Sequence, residues 1–169
     1  MYQIIDTCYG QNLGLEDLPP DSEIISLVLK GQQQLDQWKH QLPAVNLQVY
    51  DTPLGPEDLE KMDPQNLIVE RFNIVLSLRY HNLRILLHRP VLEKFLDAYG
   101  GHKTTGRTNN LEKNILQQVG ISSIETCVDS AMIIISIVHT VVLSNGWRRD
   151  LLGAWNYSLF YSQYFSKPT

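Results

Sequence analysis

The chain has 169 residues, of which 43 % are apolar and two are cysteines. This predicts one domain whose core can fold without disulfides, and the wide separation of Cys8 and Cys127 excludes a disulfide framework or a cysteine ligand cluster. The formal net charge of −4 and the lack of a Lys or Arg run argue against autonomous binding of DNA or RNA. No basic, apolar leader precedes Gly10, so an intracellular protein is predicted.

The first predicted helix runs from Asp21 to Leu42 and has one apolar side. Residues three and four positions apart form that side: Ile24, Val28, Leu35, Trp38 and Leu42. Pro43 ends the helix, because the residue before a proline disfavours helical angles. From Pro43 to Pro64, several Pro and Gly residues with weak periodicity predict a mobile loop holding at most one helical turn.

The central predicted helix runs from about Gln65 to Leu96 and is apolar over most of its circumference. One side holds Phe72, Val75, Leu76, Leu83, Leu86 and Leu87, and another holds Ile74, Leu78, Ile85 and Leu92. A narrow polar strip lies between them: Glu70, Asn73, Ser77, His81, Arg84 and His88. Such a helix belongs inside a bundle, and Pro90 predicts a kink or a break between Leu86 and Pro90.

Two more helices are predicted beyond a polar, glycine-containing loop at 100–110. Ser122 and Glu125 have capping-box spacing, which predicts a helix start near Ser122. Its predicted buried stripe is Ile124, Cys127, Val128, Ala131, Ile134, Ile135, Val138, Val141 and Val142. The most apolar stretch, Ala131 to Leu143, spans thirteen residues, which is short for a membrane span. The last helix is predicted from Asp150 to Phe165.

These elements predict an all-α fold, an irregular helical bundle built round a central kinked helix. No internal repeat supports a solenoid. We therefore expect residues 1–169 to form a single domain.

Four motifs resemble the fungal-specific transcription factor domain, the middle homology region of binuclear zinc-cluster transcription factors. The most specific is the run 76–92, with Arg79, Tyr80 and His81 leading to Leu86, Leu87, His88, Arg89 and Pro90, which resembles the family's signature helix. Upstream, Leu35, Trp38, Leu42, Pro43 and Leu47 are similar to its Leu-x-x-Trp…Leu-Pro segment. Downstream, Cys127, Ser130 and Ala131 resemble its Cys-x-x-Ala-Ala helix, and Gly153, Ala154, Trp155, Tyr157 and Phe160 resemble its glycine-alanine-tryptophan-tyrosine helix.

The resemblance covers roughly Leu27 to Tyr161 and implies a nuclear regulator of RNA polymerase II transcription. In the family, a separate cluster of six cysteines binds two zinc ions and reads DNA, so no cofactor and no direct nucleic acid contact are expected of this segment. The implied partners are other domains of the same factor, co-regulator proteins or a small-molecule effector; no membrane is expected. The absent cluster and the end at Thr169 suggest a partial domain.

His81, Arg84 and His88 share the polar strip and could form an effector pocket beside Pro90. A metal site is not expected, because the two histidines lie about 10 Å apart along a helix, whereas zinc ligands favour three- or four-residue steps. The alternative is structural: Arg84, Arg89 and His88 would donate hydrogen bonds to carboxylates and carbonyls of neighbouring helices.

For two sets of residues a structural role in the core is favoured over a catalytic role. Cys127 lies on an apolar stripe with no activating neighbour, so a buried thiol is expected rather than a redox sensor. Ser122, Ser123 and Ser130 lie near Asp129 and His139 in sequence, without a nucleophile elbow. No enzyme is therefore predicted; the alternatives are a helical protein with a small-molecule pocket or minor enzyme activity, and a truncated gene product.

Overall fold

The structure, a computed structural model, describes residues 20–99 and 110–152, with side chains omitted at 110–113. This part of the chain is 87 % helical and has no strand, which confirms the all-α prediction. Four α-helices are described: α1 (Asp21–Gln41), α2 (Pro56–Glu60), α3 (Leu67–Tyr99) and α4 (Asn110–Leu143). Three 3₁₀ segments accompany them, at Leu42–Val45, Pro64–Asn66 and Gly146–Leu152.

Contacts group the described residues into two units that share both long helices. Of the described residues, unit one comprises 20–41, 82–99 and 110–131, and unit two comprises 42–81 and 132–152. Because α3 and α4 each run from one unit into the other, each unit holds one half of each helix. A single domain over 1–169 stays a prediction.

Unit one is built on α1, the second half of α3 and the first part of α4. Its buried cluster is Ile24, Ile25, Val28, Leu87, Val91 and Leu116. Two glycines allow close helix contacts: a Cβ on Gly31 would lie 2.6 Å from Leu87 Cδ1, and one on Gly120 would lie 2.3 Å from Phe95 Cδ2. Small residues at these positions let the helices approach more closely than Ala would permit.

Unit two packs α2, the first half of α3, the second part of α4 and the 3₁₀ segment Gly146–Leu152. Its buried cluster is Leu54, Leu59, Met62, Ile74, Leu78, Ile133, Ile137, Val141, Leu151 and Leu152. Gly146 has a φ of +67°, a conformation that favours glycine, so the chain turns sharply after α4. Arg148 Nε then donates to the Leu59 carbonyl at 2.9 Å, which holds the 3₁₀ segment against α2.

The first helix confirms its prediction. It begins at Asp21 and ends at Gln41, followed by a 3₁₀ turn that contains Pro43. Four of the five residues predicted for its apolar side are buried, namely Ile24, Val28, Leu35 and Leu42, and Trp38 is half-buried.

Two predictions about element boundaries are wrong, and a third is wrong in part. The helix α3 has no break at Pro90, since helical structure continues from Leu67 to Tyr99 through the proline; a kink there stays a prediction. Ser122 does not begin a helix, because α4 starts at Asn110 and Ser122 lies on its exposed side. The segment 43–64 contains more than one helical turn, because α2 follows the 3₁₀ turn at Leu42–Val45.

The predicted inward face of α4 is wrong at four of its nine positions, whereas Val141 is buried and Ile134 and Val138 pack against the core. Ile124, Val128, Ile135 and Val142 are exposed by 37–61 %. The buried positions are Leu116, Ser123, Ser130, Ile133, Ile137, Thr140 and Val141. The apolar pattern did not separate the two sides, because this helix is apolar on both of them.

The helix α4 is also longer than predicted. The sequence argument against a membrane span used a stretch of only thirteen residues. Within the described residues, Asn114–Leu143 is long and apolar enough to cross a membrane by length and composition alone. The core helix of a soluble protein passes the same test. In this structure the helix makes hydrogen bonds to other elements through Ser123, Ser136 and Thr140.

The predicted last helix, Asp150–Phe165, lies almost wholly outside the described residues. Asp150 and Leu151 fall within the 3₁₀ segment Gly146–Leu152. The motif residues Gly153, Ala154, Trp155, Tyr157 and Phe160 lie outside the described part of the chain, as does the loop at 100–109.

Candidate functional site

The polar strip of α3 is buried rather than exposed. Asn73, Ser77, His81 and His88 are each no more than 7 % exposed, and Arg84 and Glu70 are half-buried. Phe72, assigned to an apolar side, is 55 % exposed. Because buried polar groups need hydrogen-bond partners, the function of this strip follows from what each side chain contacts.

In unit two, the strip binds a segment of backbone without helix or strand, residues 47–54, which we call the strap. Asn73 Oδ1 accepts from the Gln48 N–H and Ser77 Oγ accepts from the Tyr50 N–H, both at 2.9 Å. His81 Nε2 lies 2.8 Å from the Tyr50 carbonyl oxygen, and since a carbonyl only accepts, Nε2 is the donor. The strap therefore has side-chain partners where a strand would have a neighbouring strand.

The spacing of the strip explains why it fits an extended chain. Residues 73, 77 and 81 follow one another at four-residue steps, a rise of about 6.0 Å along a helix. Alternate residues of an extended chain are about 6.6 Å apart, with their N–H groups on the same side. Successive side chains of α3 can therefore meet successive backbone groups of the strap.

The far end of the strap is bound by α4 in the same unit. Leu54 N–H donates to Ser136 Oγ at 3.0 Å, and Thr140 Oγ1 donates to the Leu54 carbonyl at 2.8 Å. Both backbone groups of a buried residue are thus satisfied by hydroxyls one turn apart. Sequence reasoning missed these residues, and the signal that could have found them is the pair of hydroxyls, four positions apart, inside an aliphatic helix.

Tyr50 joins the strap to Glu70 at the start of the strip. Its hydroxyl donates to Glu70 Oε2 at 3.0 Å, and burial, followed by the charge of Glu70, raises the pKa of Tyr50 above its ordinary value. Beside this pair lies a cavity of about 340 Å³. Its walls are Pro43, Asn46, Leu47, Gln48, Asn66, Val69, Glu70 and Asn73.

In unit one, His88 is the centre of a chain of hydrogen bonds. Its Nδ1 lies 3.0 Å from Ser123 Oγ, and its Nε2 lies 3.3 Å from Gln32 Oε1. Gln32 Nε2 donates to Asp36 Oδ1 at 2.9 Å, which orients the amide so that its oxygen faces the ring. His88 must then donate through Nε2 and accept from Ser123 through Nδ1, the neutral tautomer.

The surroundings of His88 disfavour its charged form. Burial, and to a smaller degree the positive charge of Arg84, lowers the pKa of His88 to about 4. The ring is therefore neutral at neutral pH, as the hydrogen bonds require. A neutral imidazole with both nitrogens bonded to protein groups holds α1, α3 and α4 of unit one together.

Ser123 and His88 contact each other, yet their setting does not suit nucleophilic catalysis. Ser123 is fully buried in the middle of α4, which leaves no approach for a substrate carbonyl. A histidine pKa near 4 also makes the ring a weak base. The sequence placed Ser123 with His139; His139 is instead exposed and lines a different cavity of unit two.

Of the remaining signature residues of α3, some are packed in the core and others lie at the surface. Tyr80 is 2 % exposed with its ring edge-on to His81, and Leu87 is in the core of unit one. Arg89 is exposed and pairs with Glu93 at 2.8 Å, so this described ion pair lies within one helix rather than between neighbouring helices. Leu86 and Pro90 are half-buried.

Cys127 behaves as a packed thiol. Its Sγ lies 3.9 Å from the Ile85 carbonyl, and burial raises the pKa of Cys127 against the opposing effect of Arg84. A raised pKa keeps the sulfur protonated and unreactive. Among the described residues, no group of three His, Cys, Asp or Glu side chains could hold a metal ion. Trp155 and Tyr157 lie outside the described residues.

Two similar proteins carry the name transcription factor FBD3. The chain is 31 % identical over 168 residues to the one from Gibberella moniliformis and 29 % identical over 167 residues to the one from Fusarium pseudograminearum. Both alignments cover 95 % of this chain and 21 % of the relative, so the chain spans about a fifth of the length of the curated relatives it matches. No family model and no solved structure matches the chain.

Proposed function

We propose that this chain is a regulatory segment of a fungal transcription factor, corresponding to the middle homology region of zinc-cluster factors. The observation that carries the proposal is the similarity, over 95 % of the chain, to two proteins named as transcription factors. Those names support a non-enzymatic regulator of transcription, and a nuclear location belongs to the same proposal. Zinc would be bound by another part of such a factor, and DNA contacts would be made there.

The contacts of the signature helix support a role in which α3 keeps two sets of elements in place. Its polar residues bind the strap in unit two through Ser77 and His81. In unit one, His88 links α3 to Ser123 of α4 and Gln32 of α1. A partner or effector that favours one arrangement of these contacts over another would shift the activity of the whole factor.

The test is a reporter assay in which the full chain is placed between a heterologous DNA-binding module and an activation module. We expect reporter output to change at least threefold relative to the same fusion carrying an unrelated helical domain of equal length. The variant Leu78→Asp, which puts a charge at a fully buried position, should return the output to that of the unrelated domain. Equal output from the native chain and the unrelated domain would contradict the proposal.

A small-molecule effector is a second candidate, and the cavity beside Glu70 favours it. Its volume of about 340 Å³ falls in the range of small-ligand sites. The carboxylate and three asparagines in its walls suit a polar, hydroxyl-rich or cationic molecule. This cavity differs from the pocket predicted from His81, Arg84 and His88, which stays a prediction.

Thermal unfolding of the full chain with a panel of small polar metabolites tests the effector. A molecule that binds the folded chain raises the melting temperature by an amount that grows with the logarithm of its concentration over Kd. The variant Glu70→Gln should lose most of the increase, whereas Glu57→Gln, at an exposed position on α2, should keep it. An increase that is the same in both variants would place the binder elsewhere.

A further inference from the structure

A cavity of unit two lies where α2, the end of α4 and the 3₁₀ segment that follows it come together, and we call it the end cavity. Its volume is about 350 Å³, within the range of small-ligand sites. Part of its wall is apolar and is formed by Pro56, Leu59 and Leu143. The end cavity shares no wall residue with the cavity beside Glu70.

The guanidinium of Arg148 is held in a fixed position in this wall. Its Nε donates to the Leu59 carbonyl at 2.9 Å, and its Cζ lies 5.2 Å from the centre of the Trp147 ring. Among the described residues, no carboxylate forms an ion pair with Arg148. A guanidinium held through Nε can bind a carboxylate through two parallel hydrogen bonds from its Nη atoms. Arg148 therefore suits the carboxylate of a ligand.

The same wall also carries negative charge. Glu60 is a wall residue, exposed on α2, and it makes no ion pair with Arg148 within the described part of the chain. The helix α4 ends at Leu143, which is a wall residue too. The last carbonyls of a helix lack partners within it and give its end a partial negative charge. Glu60 and the end of α4 therefore suit a positively charged group.

Two opposite charges that share a cavity without pairing are matched by a ligand that carries both. A ligand with a carboxylate alone would bring its charge near Glu60 without compensation, and one with an ammonium alone would bring its charge near Arg148. The apolar wall suits an aliphatic group beside the two charges.

We propose that the end cavity binds a free α-amino acid with an aliphatic side chain. Arg148 binds its carboxylate, Glu60 and the end of α4 bind its ammonium group, and its side chain packs against Leu59 and Leu143. This site goes beyond the regulatory role proposed above and does not depend on it.

Isothermal titration of the full chain with L-leucine tests the proposal. We expect a Kd of about 1 mM or below. Two analogues each lack one charge: 4-methylpentanoate has no ammonium group, and 3-methylbutylamine has no carboxylate. Each should bind about tenfold more weakly, or not at all, because one charged group of the wall then has no partner in the ligand.

Variants of the wall separate the two charges. Glu60→Gln, at an exposed position, should weaken L-leucine binding about tenfold and leave 4-methylpentanoate binding no weaker. The matched control is Glu57→Gln, exposed on the same helix and outside the wall, which should leave both affinities unchanged. Arg148→Gln should weaken the binding of both molecules. Because this variant also loses the contact with Leu59, the result for Glu60→Gln decides if Arg148→Gln does not fold.

Three results would overturn the proposal. They are no heat of binding with L-leucine up to about 10 mM, equal affinities for L-leucine and 4-methylpentanoate, and an unchanged L-leucine affinity in Glu60→Gln. Glu70→Gln, in the other cavity of unit two, should leave L-leucine binding unchanged. Loss of binding in Glu70→Gln alone would place the amino acid in that cavity and would also overturn the proposal.

Discussion

At the residue scale, the polar side chains of α3 are buried hydrogen-bonding groups with defined partners. His88 accepts from Ser123 and donates to Gln32, while Ser77 and His81 bind the backbone of Tyr50. Removing one member of such a pair leaves the other buried without a partner, which costs more than the bond itself contributes. Single substitutions in the strip should therefore lower the free energy of unfolding by a measurable amount.

The pKa of His88 predicts loss of stability in mild acid. Its folded pKa of about 4 lies below the unfolded value of 6.5, so the unfolded state binds the proton first. The stabilisation is complete above about pH 6.5 and is lost as the pH falls toward 4, at up to about 1.4 kcal/mol per pH unit. We expect a total of about 2–3 kcal/mol, measured by urea unfolding at several pH values.

Comparison with a variant isolates this contribution from the titration of carboxylates. In His88→Gln the fall between pH 6.5 and pH 4 should be smaller than in the native chain by that amount. The exposed His139 is the control, and His139→Gln should keep the native pH profile. Parallel profiles for the native chain and His88→Gln would show that His88 is not the responsible group.

Ser77 offers a test of the strap. Ser77→Ala removes the acceptor of the Tyr50 N–H and leaves that donor next to a fully buried position. We expect the free energy of unfolding to fall by about 1–3 kcal/mol. Ser122→Ala, at an exposed position of α4, should change it by less than about 0.5 kcal/mol in urea titrations. Equal effects would mean that the strap is not held through Ser77.

At the element scale, the long helices carry features that would ordinarily interrupt a helix. Pro90 lies inside α3, where a proline lacks the backbone donor and crowds the carbonyl four residues earlier. The helix continues because both of its ends pack: Leu78 and Ile74 in unit two, Leu87 and Val91 in unit one. The free energy gained when α3 packs in the two units exceeds the cost of one proline inside the helix.

Replacement of Pro90 should therefore stabilise the protein. Since the helix already passes through this position, Pro90→Ala restores the donor without a change of path, and we expect the free energy of unfolding to rise by about 1–3 kcal/mol. Thermal and urea unfolding measure it. Arg89→Ala, at the exposed neighbouring position, is the control and should have an effect below about 1 kcal/mol. A loss of stability in Pro90→Ala would show that α3 needs the proline.

At the scale of the whole molecule, the net charge of the chain determines whether it can bind nucleic acid by itself. With 18 acidic and 14 basic residues, the chain has no net attraction for a phosphate backbone. We expect no binding to duplex DNA at physiological salt by fluorescence anisotropy, at chain concentrations up to about 10⁻⁵ M, where non-specific binders show it. A salt-dependent rise in anisotropy in that range would assign DNA contacts to this segment.

The sequence determined the helical class and the positions of α1 and α3, because apolar residues at three- and four-residue spacing and prolines act locally. The start and end of α1 followed from Asp21 and Pro43, and the length of α3 from its long apolar pattern. The order of the motifs containing Trp38 and His88 also indicated the kind of protein that the relatives' names support.

Only the tertiary structure decided which side of each long helix is buried. Both α3 and α4 are apolar around much of their circumference, so periodicity could not show that Ser77 and His81 face inward while Phe72 and Ile135 face out. That choice depends on partners distant in sequence: the backbone of the strap at Tyr50 and the amide of Gln32. A buried hydrogen bond requires a partner at a given distance and angle, and a linear sequence does not contain that distance.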